Sequence, residues 1–381
     1  MRLATETEQA FLSVERLTFF STKLPWEREC ARGVAPISEA EAEAVLGASA
    51  GADADAAAAA PLLVVASSAR APAVAPVSAA TAALCHASWL PSSFNRALIA
   101  RGWPARGRVD FRGVNVRYRE GLPLVLRGVS FTAQAGHTVG IVGRTGSGKT
   151  TLSLALFRVL ELAAGAILVD GVDAARVNLH QLRRRLSIIP QDPQLWRGTL
   201  RYNLDLFSEA SDEAVWSALD RVGLAGFARV QPAQLGAEVQ EGGSNLSAGQ
   251  RQLVCLARAL LRGSRVVLLD EATSSLDAAS DALVQRTLRT HMRGVTQLVV
   301  AHRLETVADC DRVLVMDGGC VAEYDAPAAL LGLAPRLEER REGDGQFCAL
   351  VEATGAGVAA SLRGAALAAY REKNGGGAAA L

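Results

Sequence analysis

The residues with the plainest chemical purpose run Gly143-Arg-Thr-Gly-Ser-Gly-Lys-Thr-Thr151. Their pattern, Gly-x-x-x-x-Gly-Lys-Thr, is that of a phosphate-binding P-loop. Glycines let successive backbone N–H groups converge on an anion, and a helix that follows adds its unpaired N–H groups and positive dipole end. Lys149 is placed to reach β- and γ-phosphates, and the Thr150 hydroxyl to ligate Mg²⁺. Lysine is scarce, with only Lys23, Lys149 and Lys373 in 381 residues. A chance match at this spacing then has odds of roughly a few per thousand. The loop, Gly143, Arg144, Thr145, Gly146, Ser147, Gly148, Lys149, Thr150 and Thr151, is read as a nucleoside triphosphate cradle.

A second constellation ends the apolar run Val266-Val-Leu-Leu269 with Asp270-Glu271. Two adjacent carboxylates at the end of a buried strand are costly unless a cation or a proton meets them. In a P-loop protein the first is the expected Mg²⁺ holder. The second, on the opposite side of the strand, could act as general base toward a water in line with the γ-phosphate. Gln191, flanked by Pro190 and Asp192-Pro193, stops another short apolar run. It could ligate Mg²⁺ or orient a water, although a glutamine alone in a loop is ordinarily just solvated. His302 closes the run Gln297-Leu-Val-Val-Ala301. A lone histidine there is usually structural, yet it shares with Gln191 and Asp270 the strand ends at which open α/β sheets bind ligand. Ser247-Ala248-Gly249-Gln250 opens a helix with small residues and a hydroxyl, suited to an anion and equally to an ordinary serine N-cap. Tyr118 reads either as a half-buried strand aromatic or as a flat surface for a base, and the nearby P-loop tilts the reading to the second.

The elements that must position these groups follow from hydrophobic periodicity. Residues 108–118 alternate apolar and polar, and a strand from Val129 precedes the turn at Ala135-Gly136, so an antiparallel layer comes before the P-loop strand. Helical spacing returns in Leu152-Ser-Leu-Ala-Leu-Phe157, and it dominates residues 199–262. Short apolar runs at 166–170, 186–189, 266–269 and 297–301 read as buried strands, and Asp317-Gly-Gly319 reads as a hairpin turn. The fold class is α/β, a P-loop NTPase. Its mainly parallel core sheet has flanking helices, an antiparallel β layer and a helical subdomain.

Composition bounds the remainder. The net charge is +1, so no basic field recruits nucleic acid or anionic lipid. Six cysteines without a C-x-x-C read as reduced thiols, and five dispersed histidines argue against a metal cluster. No run has the length and purity of a membrane helix, and no signal-peptide layout opens the chain. Residues 1–24 begin with an amphipathic helix (Phe11, Val14, Leu17, Phe20) that starts abruptly, as if cut from a longer one. Residues 25–106 are an Ala/Pro-rich linker expected to be largely disordered, and 107–335 form the nucleotide-binding domain. Residues 336–381 are a tail with one docking turn near 346–351 and a loose Ala/Gly-rich end.

In this order, the P-loop, Gln191, Leu246-Ser247-Ala248-Gly249-Gln250, Leu268-Leu269-Asp270-Glu271, Ser274-Ser275-Leu276-Asp277 and His302 resemble the nucleotide-binding domain of ABC transporters over about 107–331. Finer text is similar to the second such domain of the multidrug-resistance-associated (C) subfamily. It comprises Tyr118-Arg119-x-Gly121-Leu-Pro-Leu-Val-Leu126, Gly140-Ile-Val-Gly-Arg-Thr145, Ser187-Ile-Ile-Pro-Gln-Asp-Pro193 and Glu241-Gly-Gly-Ser-Asn-Leu246. Residues 5–20 resemble the cytoplasmic end of that family's last membrane helix.

The resemblance implies ATP and Mg²⁺ as ligands and Tyr118 stacked on adenine. Asp270, Thr150 and Gln191 would attend the metal, Glu271 would be the base, and His302 would contact the γ-phosphate. Ser247, Gly249 and Gln250 would serve ATP on a second nucleotide-binding domain closed head-to-tail, with Asp277 linking the two sites. Membrane-spanning domains complete the expected partners, with this domain on the cytosolic face. Ala248 stands where the general signature has glycine, a variant that the resemblance ties to a weakly hydrolysing second site. The leading reading is ATP-driven export. The alternatives are a regulatory domain of a channel-type relative, a soluble ATPase of the same class, or a fragment that binds ATP without efficient turnover.

Overall fold

Alternation builds the first layer. In β1 (Val109–Val116) the side chains of Val109, Phe111, Val114 and Val116 are buried, and in β2 (Leu126–Ala133) those of Leu126, Val129, Phe131 and Ala133. The two strands pair antiparallel with Phe111 opposite Phe131, their rings stacked at 4.6 Å. The computed structural model describes residues 93–270, 278–301, 303–334 and 345–375. The expected membrane-proximal helix, most of the expected linker and the charged stretch after 335 lie outside the described residues.

β3 (Thr138–Gly143) starts a second sheet, while β4 (Ala164–Val169) and β5 (Val172–Asp173) return to the first. The first sheet is antiparallel, with four strands in the order β2-β1-β4-β5. Next come β6 (Leu186–Ile189) and the short pair β7 (Gly198–Thr199) and β8 (Glu238–Val239). They are followed by β9 (Val266–Asp270), β10 (Thr296–Val300), β11 (Arg312–Asp317) and β12 (Cys320–Asp325). The second sheet has six strands in the order β12-β11-β3-β10-β9-β6, parallel except for the β11–β12 hairpin. The expected hairpin across Asp317-Gly-Gly319 is thus present.

Period-two side chains send alternate residues of this sheet to its two faces. Val139, Ile141, Leu268, Leu298 and Leu314 face the antiparallel layer, where Leu152 and Phe157 from the helix after the P-loop fill the gap. On the other face Val267 and Leu269 pack under helices of the 200–262 region. Val142, Val313 and Val315 instead meet Leu330, Phe347 and Val351. Burial on both faces is what a parallel sheet requires, and it explains the nearly unbroken apolar runs.

The ordered fold reaches beyond both expected limits. Helix Ser93–Ala100 buries Leu98, and Trp103 inserts beside it, its indole N–H donating to the Val169 carbonyl at 2.9 Å. At the other end, Gln346–Glu352 docks through Phe347 and Val351 as expected. Residues 356–375, expected to be loose, form helix Ala356–Gly375 with Ala359, Leu362 and Ala366 buried. Alanine is the strongest helix former, and a stripe built mainly of alanine hides its period inside a low-complexity composition.

Candidate functional site

The P-loop begins where β3 runs out. Gly143 (φ 152°) has no room for a side chain, since a Cβ there would strike the Met316 carbonyl and lie 2.7 Å from Ser147 Oγ. Gly148 (φ 102°) is the left-handed N-cap of helix Lys149–Leu156, and a Cβ on it would lie 2.7 Å from Leu126 Cδ2. No side chain caps this helix, and its first turn carries no acid. Its free N–H groups and positive end are therefore left for an anion.

Two polar groups inside the loop fit a polyphosphate. Ser147 Oγ is buried with no hydrogen-bond partner. Lys149 is only 6 % exposed, and its ammonium donates to the carbonyls of Gly143 (2.8 Å) and Arg144 (3.2 Å). Arg144, Thr145 and Gly146 form the exposed tip, and Thr150 is exposed at the first turn of the helix. Thr151 is buried, and its hydroxyl lies 3.2 Å from that of Tyr118. The structure thus brings half-buried Tyr118 to the first turn of the P-loop helix.

Strand register brings the other groups to the same edge. Ile141 of β3 is level with Val300 of β10, Val300 with Asp270 of β9, and Leu269 with Ile189 of β6. Gly143, Asp270 and the Pro190-Gln191 turn therefore leave the sheet at one carboxyl edge. Two strand spacings, about 10 Å, separate Asp270 from the P-loop strand. Gln191 is exposed and Asp270 half-buried. One hydroxyl, one amide oxygen and one carboxylate form a sparse set of hard oxygen donors. It suits Mg²⁺, which keeps several waters and takes its other ligands from substrate phosphates. Glu271, Asp277 and His302 lie outside the described residues.

The Ser247 hydroxyl accepts from Gln250 N–H at 3.1 Å, and Gln250 Oε1 accepts from Ser247 N–H at 2.9 Å, a reciprocal cap on helix Ala248–Arg262. The N-cap reading is therefore realised, and both side chains close on their own turn rather than on the P-loop of this chain. Gly249 is held against helix Ala278–His291, where a Cβ would strike Ser280 Oγ and lie 2.8 Å from Ser280 Cβ.

Sequence reasoning passed over Gln252 and Arg258. Gln252 is buried and donates to the Pro190 carbonyl at 3.1 Å, at the root of the Gln191 turn. Arg258 is also buried. It donates to Gln194 O (3.2 Å), Asn203 Oδ1 (3.1 Å) and Asn203 O, and its guanidinium lies 4.8 Å from the Trp196 ring centroid. The available signal was an arginine interrupting the apolar run Val254-Cys-Leu-Ala-Arg-Ala-Leu-Leu261.

Residues 126–274 match the family model described as "ABC transporter". "ATP-binding cassette sub-family C member 3" of Mus musculus is 55% identical over 245 residues, 64% of this chain and 16% of that protein. The Homo sapiens protein of that name is 56% identical over 230 residues, 60% of this chain and 15% of its own length. The chain thus spans about one sixth of the length of these curated relatives. A solved bacterial Atm1-family ABC exporter with ATP bound superposes at a TM-score of 0.60 with 35% identity, over 66% of this chain and 42% of that one.

Proposed function

We propose that this chain, which carries an ABC-type ATPase domain closely related to those of the C subfamily, binds and hydrolyses ATP to drive export across a membrane. One observation carries the reading. An uncapped helix, an unpartnered buried hydroxyl and a buried ammonium converge in the P-loop, and register sets Asp270 on the same sheet edge.

In this reading Tyr118 offers its ring to adenine, while the loop N–H groups and Lys149 hold the β- and γ-phosphates. Thr150, Asp270 and Gln191 would hold Mg²⁺, which when bound offsets charge on the phosphate oxygens. Glu271 takes a proton from water as the water oxygen bonds to the γ-phosphorus, and ADP leaves with the bridging oxygen. His302 contacts the γ-phosphate. Ser247, Gly249 and Gln250 complete a nucleotide site on a second domain closed head-to-tail, with Asp277 between the two sites. Ala248 makes that partner site the weaker hydrolyser.

The proposed partners are that second nucleotide-binding domain and membrane-spanning domains, with this domain on the cytosolic face. Among the described residues no helix is long and apolar enough to cross a membrane. The test is a Mg·ATP titration of the full chain, followed by phosphate release as a complete C-subfamily nucleotide-binding domain is added. Saturable binding and partner-dependent turnover are expected. A chain that does not bind ATP would overturn the assignment, and binding with no turnover at any partner concentration would overturn the hydrolytic half.

A further inference from the structure

The face of the six-stranded sheet turned away from the antiparallel layer is covered in two separate pieces. One piece lies over Val267 and Leu269, the other over Val142, Val313 and Val315. Between them runs β10, an interior strand whose Gln297 and Val299 are only half-buried. Interior strands of parallel sheets are ordinarily covered on both faces. Here the seam is a cleft of about 380 Å³, within the range of roughly 300–1,000 Å³ common for small-molecule sites.

Its floor and inner wall are apolar, formed by Leu269, Val299, Leu288 and Met292. Its rim is basic, with Arg289, Arg293, Arg303 and Lys373. The two rim acids are already engaged, Asp309 with Arg289 at 3.0 Å and Asp311 with Lys373 at 2.9 Å. Arg293 and Arg303 form no ion pair among the described residues, so the rim keeps two positive charges above an apolar floor.

We propose that this cleft binds a small amphipathic organic anion. Its apolar body would lie on Val299 and Met292, and its single carboxylate, sulfonate or phosphate head would meet Arg293 and Arg303. Apolar burial gives such a ligand affinity, and the unpaired arginines select the sign of its head. The cleft does not include the P-loop. It does reach Leu269 and Ala301, which directly precede Asp270 and position 302, so its occupant lies beside the proposed hydrolytic edge without displacing ATP.

The test is a fluorescence titration of the full chain with 1-anilinonaphthalene-8-sulfonate in saturating Mg·ATP. Saturable single-site binding is expected. It should weaken about tenfold or more in Arg293→Glu/Arg303→Glu, since each lost attraction at an exposed rim is worth up to about fivefold and each glutamate adds repulsion. It should vanish in Val299→Trp, which fills the floor. If Val299→Trp fails to fold, the arginine variant decides, because both side chains are exposed. Equal probe affinity in the folded variants, or displacement of the probe by ATP, would overturn the proposal.

Discussion

Replacing Lys149 by methionine separates the two things that this side chain does. Its ammonium is almost wholly buried and held by the Gly143 and Arg144 carbonyls. Keeping a charge there costs desolvation that hydrogen bonds to the two carbonyls only partly offset. Methionine keeps the length and removes the charge. The freed carbonyls belong to a loop whose tip, Arg144 to Gly146, is open to water. The change in folding stability should stay within about 1–2 kcal/mol, of either sign. In a domain of this size that is a melting shift of about 2–8 °C. The bound state behaves differently. Phosphate loses a charge-assisted donor worth about 1.5–3 kcal/mol, so ATP affinity should fall about 10- to 150-fold. Calorimetric titration with Mg·ATP, run beside a thermal melt of the same full-length variant, reads both quantities. An affinity within twofold of the parent in a folded Lys149→Met chain would refute the cradle.

Tyr118→Ala should weaken ATP about tenfold while Tyr118→Phe stays near the parent, because stacking needs the ring and not the hydroxyl that faces Thr151. Equal losses in both variants, measured by nucleotide titration, would instead assign the residue to its hydrogen bond. Glu271→Gln should cut phosphate release about 10²–10⁴-fold in the partnered assembly with ATP affinity nearly intact, and undiminished turnover would remove it as the base. Arg258→Met leaves the carbonyls of Gln194 and Asn203 without their buried donor. It should cost about 3–5 kcal/mol in denaturant unfolding, and a loss under about 1 kcal/mol would show that water replaces it. Gly249→Ala must displace Ser280. It should lower partner-dependent turnover, with Ser280→Gly restoring much of the loss, and no rescue would place the defect at the nucleotide itself.

The parts of the site legible in sequence were those in which residue type and spacing are dictated by backbone geometry. Gly143 and Gly148 are spaced so that one admits the Met316 carbonyl and the other turns left-handed against Leu126, and both constraints leave a readable trace. The strands leading to Gln191 and Asp270 were legible because burial on both faces demands short, mostly apolar runs, Leu186-Ser-Ile-Ile189 and Val266-Val-Leu-Leu269. The contacts of Gln252 and Arg258 were not, since each partner carbonyl lies 55–64 residues away in the chain and any residue can supply a carbonyl. Helix Ala356–Gly375 was missed for a different reason: its buried stripe of Ala359, Leu362 and Ala366 is barely more apolar than its exposed face. Ser247 and Gln250 show where a pattern is ambiguous by nature. The same hydroxyl and amide that can meet a phosphate also complete a capping box.

That ambiguity bears on how the proposed second nucleotide-binding domain would be felt at the Gln191 turn. The cap of Ser247 on Gln250 stabilises its helix end by about 1 kcal/mol, little enough for a phosphate to replace. One turn further along, the same helix holds the Pro190 carbonyl through Gln252, and beyond it Arg258 grips Gln194 and Asn203. Helix Ala248–Arg262 is thus tied at its start to whatever its N-terminus meets, and along its buried face to the segment leaving Gln191. Those buried bonds are directional and cost several kcal/mol to break. A shift of the helix therefore moves the 190–203 segment with it. A ligand at the exposed cap has only to bind one helix position better than another, by the 1–3 kcal/mol typical of coupled sites, for the Gln191 turn to register it.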